Sequence, residues 1–231
     1  MGLLASYLAF GILGPVITRY QEVIFRHVGG VTIQGPPPTA GLAMTSYIGN
    51  ASQIGLMVTV FLAAASLAFD AKPEWASFLR TRAGSLAEVV VPKVVVMAGA
   101  AAVSFVLGAV AAWVGTAVLI EDLSPGAVLT GIVLWAIYLI FAVSVVALAA
   151  GVSRSVVGAG GLTAVVLLVL PVVAQVVPAV RPWSPSTLVG ALVEMVDGAS
   201  AADFGRAAAV ALSLSAAAVW GSVRLLSRRE V

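Results

Sequence analysis

Six stretches of the chain are apolar around their whole circumference, and each is bounded by short polar segments. They run from about 3–18, 47–69, 89–120, 127–150, 156–177 and 207–226. An amphipathic soluble helix would carry one polar face, and a half-buried strand would alternate every second residue; these runs do neither. A stretch of about 20 apolar residues is what crosses the hydrocarbon core as an α-helix. Lipid offers no partner to backbone donors and acceptors, so open strands are excluded there, and barrel strands would alternate over about 10 residues. The pattern predicts an all-α integral membrane protein with residues 1–231 forming a single transmembrane domain of six helices. The first run lacks a basic segment before it and a small-residue cleavage site after it, so it reads as a retained span. Pro15 and Pro171 are expected kinks within their spans.

Composition agrees. Hydrophobic residues make up 61% of the chain and charged residues only 10%, against about 25% charged in ordinary soluble domains. The net charge of +2 gives no reason to expect nucleic acid. Position of charge says more. With the N-terminus cytoplasmic, the inside segments hold Lys72, Arg80, Arg82, Lys93, Arg154, Arg224, Arg228 and Arg229. The outside segments then hold Arg19, Arg26, Arg181 and Arg206. That bias predicts both termini inside. Two extracytoplasmic loops follow, 19–46 and 181–206. The first contains Pro36-Pro37-Pro38, which favours an extended segment. The second places Leu188, Leu192, Met195 and Val196 at helical spacing, as in a short amphipathic helix lying at the outer interface.

Catalytic chemistry finds little support. Cysteine is absent, which removes disulfides, thiolate metal sites and cysteine nucleophiles. His27 is the only histidine and falls in the first outer loop. Ser104, Ser144, Ser213 and Ser215 lie in apolar runs, where back-bonding to helix carbonyls or contacts between helices explain them. No Gly-x-x-x-x-Gly-Lys-Ser/Thr motif exists; the run Gly158-Ala-Gly-Gly161 reads as close helix packing or a helix start. No acidic or basic residue falls in the middle of a span, and Gln53 and Gln175, the most polar candidates, are expected near span ends. Ion-coupled transporters usually keep an ionisable group within the membrane. Gly11 and Gly14 in the first span, with Gly99, Ala102, Gly108, Ala112 and Gly115 in the third, are expected to let helix backbones approach closely, within one subunit or across a dimer seam.

The loop over residues 70–88 carries the most specific pattern. Asp70 suits an N-cap and Pro73 the first helical turn. Trp75, Phe78, Leu79 and Arg82 then fall at i, i+3, i+4 and i+7, while Lys72 and Arg80 point elsewhere. Ser85-Leu86-Ala87-Glu88 reads as a capping box opening the third span. Such a helix is either an interfacial anchor or a knob that docks in a groove of a partner.

The stretch from Phe69 to Lys93 resembles the first cytoplasmic loop of ABC-2 type permeases, the membrane subunits of bacterial ABC exporters. Asp70, Phe78-Leu79, Ser85 and Lys93 fill that family's acidic, apolar-pair, serine and lysine places. The six-span layout also matches. The family's Glu-x-x-x-Gly-Thr pattern is replaced here by Asp70-Ala-Lys-Pro-Glu74-Trp, so the resemblance leaves subfamily and substrate open. It implies a type V exporter-like permease in the plasma membrane, both termini cytoplasmic, with a cytoplasmic coupling helix. It implies two partners: separate ABC ATPase subunits, which would hold the ATP and Mg, and a second identical or related permease. This chain would itself be non-catalytic and carry no cofactor or metal. Trp75, Phe78, Leu79, Arg80 and Arg82 would receive the motor's movement. The apolar spans suit a drug or lipid-like cargo. The alternative is an ATP-independent secondary transporter or channel.

Overall fold

A computed structural model describes residues 2–29, 37–68 and 87–228, apart from the side chains of residues 22 and 24–29. Six helices are long and apolar enough to cross a membrane. We label the elements α1 (Gly2–Gly29), α2 (Ala40–Leu67), α3 (Ala87–Leu119), α4 (Pro125–Val152), α5 (Val156–Val176), α6 (Ala191–Val196) and α7 (Gly205–Ser227). All but the short α6 are spans. Among the described residues there is no strand.

Two boundaries differ from the sequence expectation. α1 does not stop at Thr18; it continues through Pro15 to Gly29, so residues 19–29 of the expected loop are helical. A proline costs one backbone bond, whereas ending the helix inside lipid would leave several groups unpaired. α2 begins at Ala40, not near Tyr47. Thr39 is its N-cap, extended at φ −116° and ψ 159°, and its hydroxyl accepts from the Leu42 amide at 3.2 Å. The prolines just before Thr39 cannot donate to a helix ladder, which sets the start there. Pro171 lies within α5 and Pro92 within α3 without interrupting either helix.

α4 is the central helix: 72% of its most apolar window is buried, against 22% for α5. The core around it is aromatic. Phe105 of α3 stacks on Trp135 of α4 at 4.1 Å and 10°, and Tyr47 of α2 stacks on the other side of Phe105 at 5.7 Å. Tyr7 of α1 meets Phe105 edge-on at 5.8 Å. The polar tips of Tyr7, Tyr47 and Trp135 each find an acceptor. Tyr47 donates to the Phe105 carbonyl at 3.0 Å, and Trp135 Nε1 donates to the Val189 carbonyl at 3.1 Å. Thr59 gives its single proton to the Gly55 carbonyl at 2.8 Å, so at the 3.1 Å contact the Tyr7 hydroxyl is the donor and Thr59 the acceptor. A buried tyrosine or tryptophan is tolerable in lipid only on these terms.

The small residues do what their positions suggested, within this chain. At Gly11 a β-carbon would run into the Gly108 carbonyl, and at Gly108 it would run into the Tyr7 carbonyl and the Tyr47 hydroxyl. A β-carbon at Gly115 would sit 3.2 Å from the Pro15 ring. α1 and α3 therefore pack backbone to backbone, where dispersion replaces the hydrophobic drive that lipid does not supply. Gly99, from the same stripe, faces open space.

Serines behave as expected where their bonds are seen. Ser144, Ser213 and Ser215 donate to the carbonyls of Ile140, Ala209 and Ala211 at 2.6–2.8 Å. Ser222 instead bridges helices, donating from α7 to the Ala147 carbonyl of α4 at 2.7 Å.

Candidate functional site

The segment between α5 and α7 was expected to hold a short amphipathic helix at the outer interface. It consists of two 3₁₀ turns, Arg181–Trp183 and Pro185–Val189, followed by the short α6, with its apolar side packed on the bundle. Leu188 and Leu192 are completely buried. Leu192 packs so closely on α4 that a β-carbon at Gly131 would sit 2.5 Å from its Cα. Leu192, Met195 and Val196 lie on α6 as the spacing suggested, whereas Leu188 lies in the preceding 3₁₀ turn, and burial on the bundle removes the two leucines from water. Proline opens both 3₁₀ turns at their first or second position, where a missing N–H costs nothing. The Ser184 hydroxyl accepts from the Ser186 amide at 3.4 Å, and Thr187 returns its hydroxyl to the Ser184 carbonyl at 2.9 Å. Trp135 holds the second turn from below through the Val189 carbonyl.

Opposite this segment, α2 is interrupted by a π-turn, Ala51–Gly55. Its cause is local. The Tyr7 ring lies directly on Gly55, where a β-carbon would be 2.6 Å from Cε1, and the Tyr7 hydroxyl fastens to Thr59 one turn on. The wider turn carries Ser52 and Gln53 on the wall that faces α5. π-turns of this kind are frequent at functional sites. Gln53, expected near a span end, stands instead at the middle of α2, because α2 starts seven residues earlier than its hydropathy suggests. The Gln53 side chain is exposed, and no hydrogen bond to it is found among the described residues.

A cleft lies between these walls. Its deep compartment has a volume of about 490 Å³ and is lined chiefly by Gln53, Met57, Tyr138, Leu168, Pro171 and Ser186. A second compartment of about 460 Å³ shares Pro171, Ser186 and Gly190 with it and adds Gln175, Arg181 and Glu194. A third, of about 440 Å³, shares Arg181, Thr187 and Glu194 with the second and adds Asp203 and Arg206. The three form one groove, apolar along α2 and α5 and charged at the end nearest α7. Each falls in the size range of small-molecule sites, about 300–1,000 Å³. At the outer rim the Arg206 guanidinium lies 5.5 Å from the Trp183 ring centroid, a cation–π contact. Ser200 and Asp203 form a capping box that leads into α7.

Gly158-Ala-Gly-Gly161 sits at the start of α5, as read: the Ser155 side chain accepts from the Gly158 amide at 3.0 Å, and Gly160 packs against the Phe61 ring. It is the packing seam of α5 on α2. Gln175 is in the last turn of α5 and lines the groove. Trp75, Phe78, Leu79, Arg80 and Arg82 lie outside the described residues, as do Asp70, Ser85 and the His27 side chain. Sequence reasoning missed Tyr138, Met57 and Leu168, which look like ordinary apolar helix positions. Arg181-Pro-Trp-Ser-Pro-Ser186 was the available signal, because two prolines flanking Trp and Ser mark a segment with its own turns.

No group of three or more His, Cys, Asp or Glu able to hold a metal occurs among the described residues. No protein-family model, curated protein or solved structure matches the chain.

Proposed function

We propose that this chain is the permease subunit of an ATP-binding cassette exporter, carrying a drug or lipid-like cargo across the plasma membrane with separate ATPase subunits. The observation that carries the reading is the distribution of charge. Within the membrane-crossing windows, that of α1 being Gly2–Gln21, no Asp, Glu, Lys or Arg among the described residues lies in the middle third. Such a bundle has no ionisable group at mid-membrane with which to couple cargo to an ion gradient, and no phosphate-binding loop of its own. Its energy comes from outside. Turning a gate from 1:99 to 99:1 takes about 5.5 kcal/mol of state preference, which a nucleotide motor can deliver through a rigid cytoplasmic knob. The resemblance of Phe69–Lys93 to the ABC-2 loop supplies that knob, with Trp75, Phe78, Leu79, Arg80 and Arg82 on it. On this reading ATP and Mg stay in the partner, both termini are cytoplasmic, and a second identical or related permease completes the assembly.

Phe78→Asp and Leu79→Asp each put a charge on the docking ridge. Both variants are expected to reach the membrane at normal levels while retention of the ATPase after mild detergent extraction falls by about 10-fold or more, which corresponds to about 1.4 kcal/mol. Normal ATPase retention and cargo export in both variants would reject the coupling role.

One observation favours the second reading, an ATP-independent transporter or channel. Gln53 sits within the π-turn at the middle of α2, and irregular helices are where such proteins place their sites. Vesicles containing only this polypeptide separate the two: cargo movement without a motor subunit supports the second reading and ends the first.

A further inference from the structure

The groove described above has the dimensions and polarity of one membrane lipid. Along α5 its lining runs from Ala164 to Gln175 in the last turn of the helix. Eleven residues at 1.5 Å rise make about 17 Å. Half a bilayer offers about 15 Å of hydrocarbon and a few ångströms more of headgroup. Ala164 is close to the midpoint of the 21-residue α5, so the groove reaches from the bilayer centre to one surface, and no further. Its deep wall is made by Leu56, Met57, Leu167 and Leu168, the second and fourth of which are exposed on the bundle's flank. The groove therefore opens sideways, between α2 and α5, to the lipid around it. At the surface end Arg181 and Glu194 are exposed and line the same two compartments.

We infer that this groove binds a single phospholipid carrying a phosphate and a primary ammonium, with one acyl chain along Met57 and Leu168. The Arg181 guanidinium presents a planar fork of donors that matches two phosphate oxygens. Glu194 supplies the opposite charge for the ammonium. A purely anionic headgroup would satisfy Arg181 and meet Glu194 as a like charge; a headgroup without phosphate would leave Arg181 with nothing to hold. The site is a property of this chain alone and stands with or without a motor subunit.

The test is native mass spectrometry of the full chain, purified in mild detergent and offered phosphatidylethanolamine or phosphatidylglycerol. The wild type is expected to retain one phosphatidylethanolamine per chain, preferred by about 5-fold over phosphatidylglycerol. Leu168→Trp fills the groove and is expected to lower retention of both lipids about 10-fold. Val165→Trp, on the same helix but outside the groove, should retain lipid like the wild type and shows that the helix tolerates the added ring. Arg181→Gln should lower both lipids about 10-fold, and Glu194→Gln should abolish the preference between them. Failure of the wild type to retain phosphatidylethanolamine would overturn the inference. So would equal retention by Leu168→Trp, an undiminished preference in Glu194→Gln, or a dimer whose second copy fills the groove in place of lipid.

Discussion

Replacing Gly108 with leucine is expected to destabilise the folded bundle severely, while the same replacement at Gly99 on the same helix leaves it intact. At Gly108 the added side chain meets backbone on one side, the Tyr7 carbonyl, and the Tyr47 hydroxyl on the other. Backbone cannot step aside as a flexible side chain can. Either α1 moves away from α3 along the seam that includes Gly11 and Gly115, or Tyr47 abandons its bond to the Phe105 carbonyl. Overpacking a tight core costs about 1–3 kcal/mol and sometimes more; here the lost bond of a buried hydroxyl adds to it. The expected total exceeds about 3 kcal/mol, enough to lower the midpoint of thermal unfolding by about 6–12 °C or to eliminate the monodisperse species. Gly99 has nothing within 4 Å of its would-be β-carbon. Its leucine variant should shift the midpoint by no more than about 2 °C. Fluorescence-detected size exclusion after a temperature series distinguishes the two. Similar behaviour of both variants would show that the stripe is not a packing seam inside the chain.

Trp135→Ala is the second large effect. Trp135 is completely buried, stacks on Phe105 at 4.1 Å, touches Tyr138 edge-on at 6.0 Å, and holds the Val189 carbonyl through Nε1. Truncating a buried tryptophan costs about 3–5 kcal/mol. Trp135→Phe keeps most of the ring and removes only the hydrogen bond, at about 1 kcal/mol. The two variants should therefore differ in what they loosen. Hydrogen–deuterium exchange is expected to speed up across residues 184–196 in both. Only the alanine variant should also speed exchange around Phe105. If the phenylalanine variant leaves 184–196 as slow as in the wild type, the Nε1 bond is not what anchors the inward-folded segment.

The existence of all six spans could be read from the chain because a long, uniformly apolar run has one solution in lipid. Their ends were harder. Gly41, Thr45 and Ser46 weaken the hydropathy of the first two turns of α2, yet Ala40, Ala43 and Met44 in the same turns are buried. Hydropathy measures affinity for lipid, and those turns are packed on protein. The stripe of Gly11, Gly108 and Gly115 was visible as a set of small residues. Which helix each one met depended on tertiary placement. The groove was the least visible feature. It depends on a π-turn, whose extra residue in the hydrogen-bond ring leaves no mark on composition, and on an inward fold of Leu188 and Leu192 whose spacing is the same whether they face headgroups or α4. Arg181 was counted as a charge on one side of the membrane, and only the fold sets it beside Glu194.

The Ser222 bond to the Ala147 carbonyl has a bearing on how the molecule is made. α4 leaves the ribosome fourth, and its partner in that bond arrives only with the last span. Until then the surface of α4 around Ala147 and Gly151, where a β-carbon would sit 3.3 Å from Ser222 Cα, borders on lipid or on an insertion chaperone. A nascent chain that stops before residue 205 therefore displays an open flank on its most central helix. Membrane proteases can recognise such a flank, and full-length synthesis closes it.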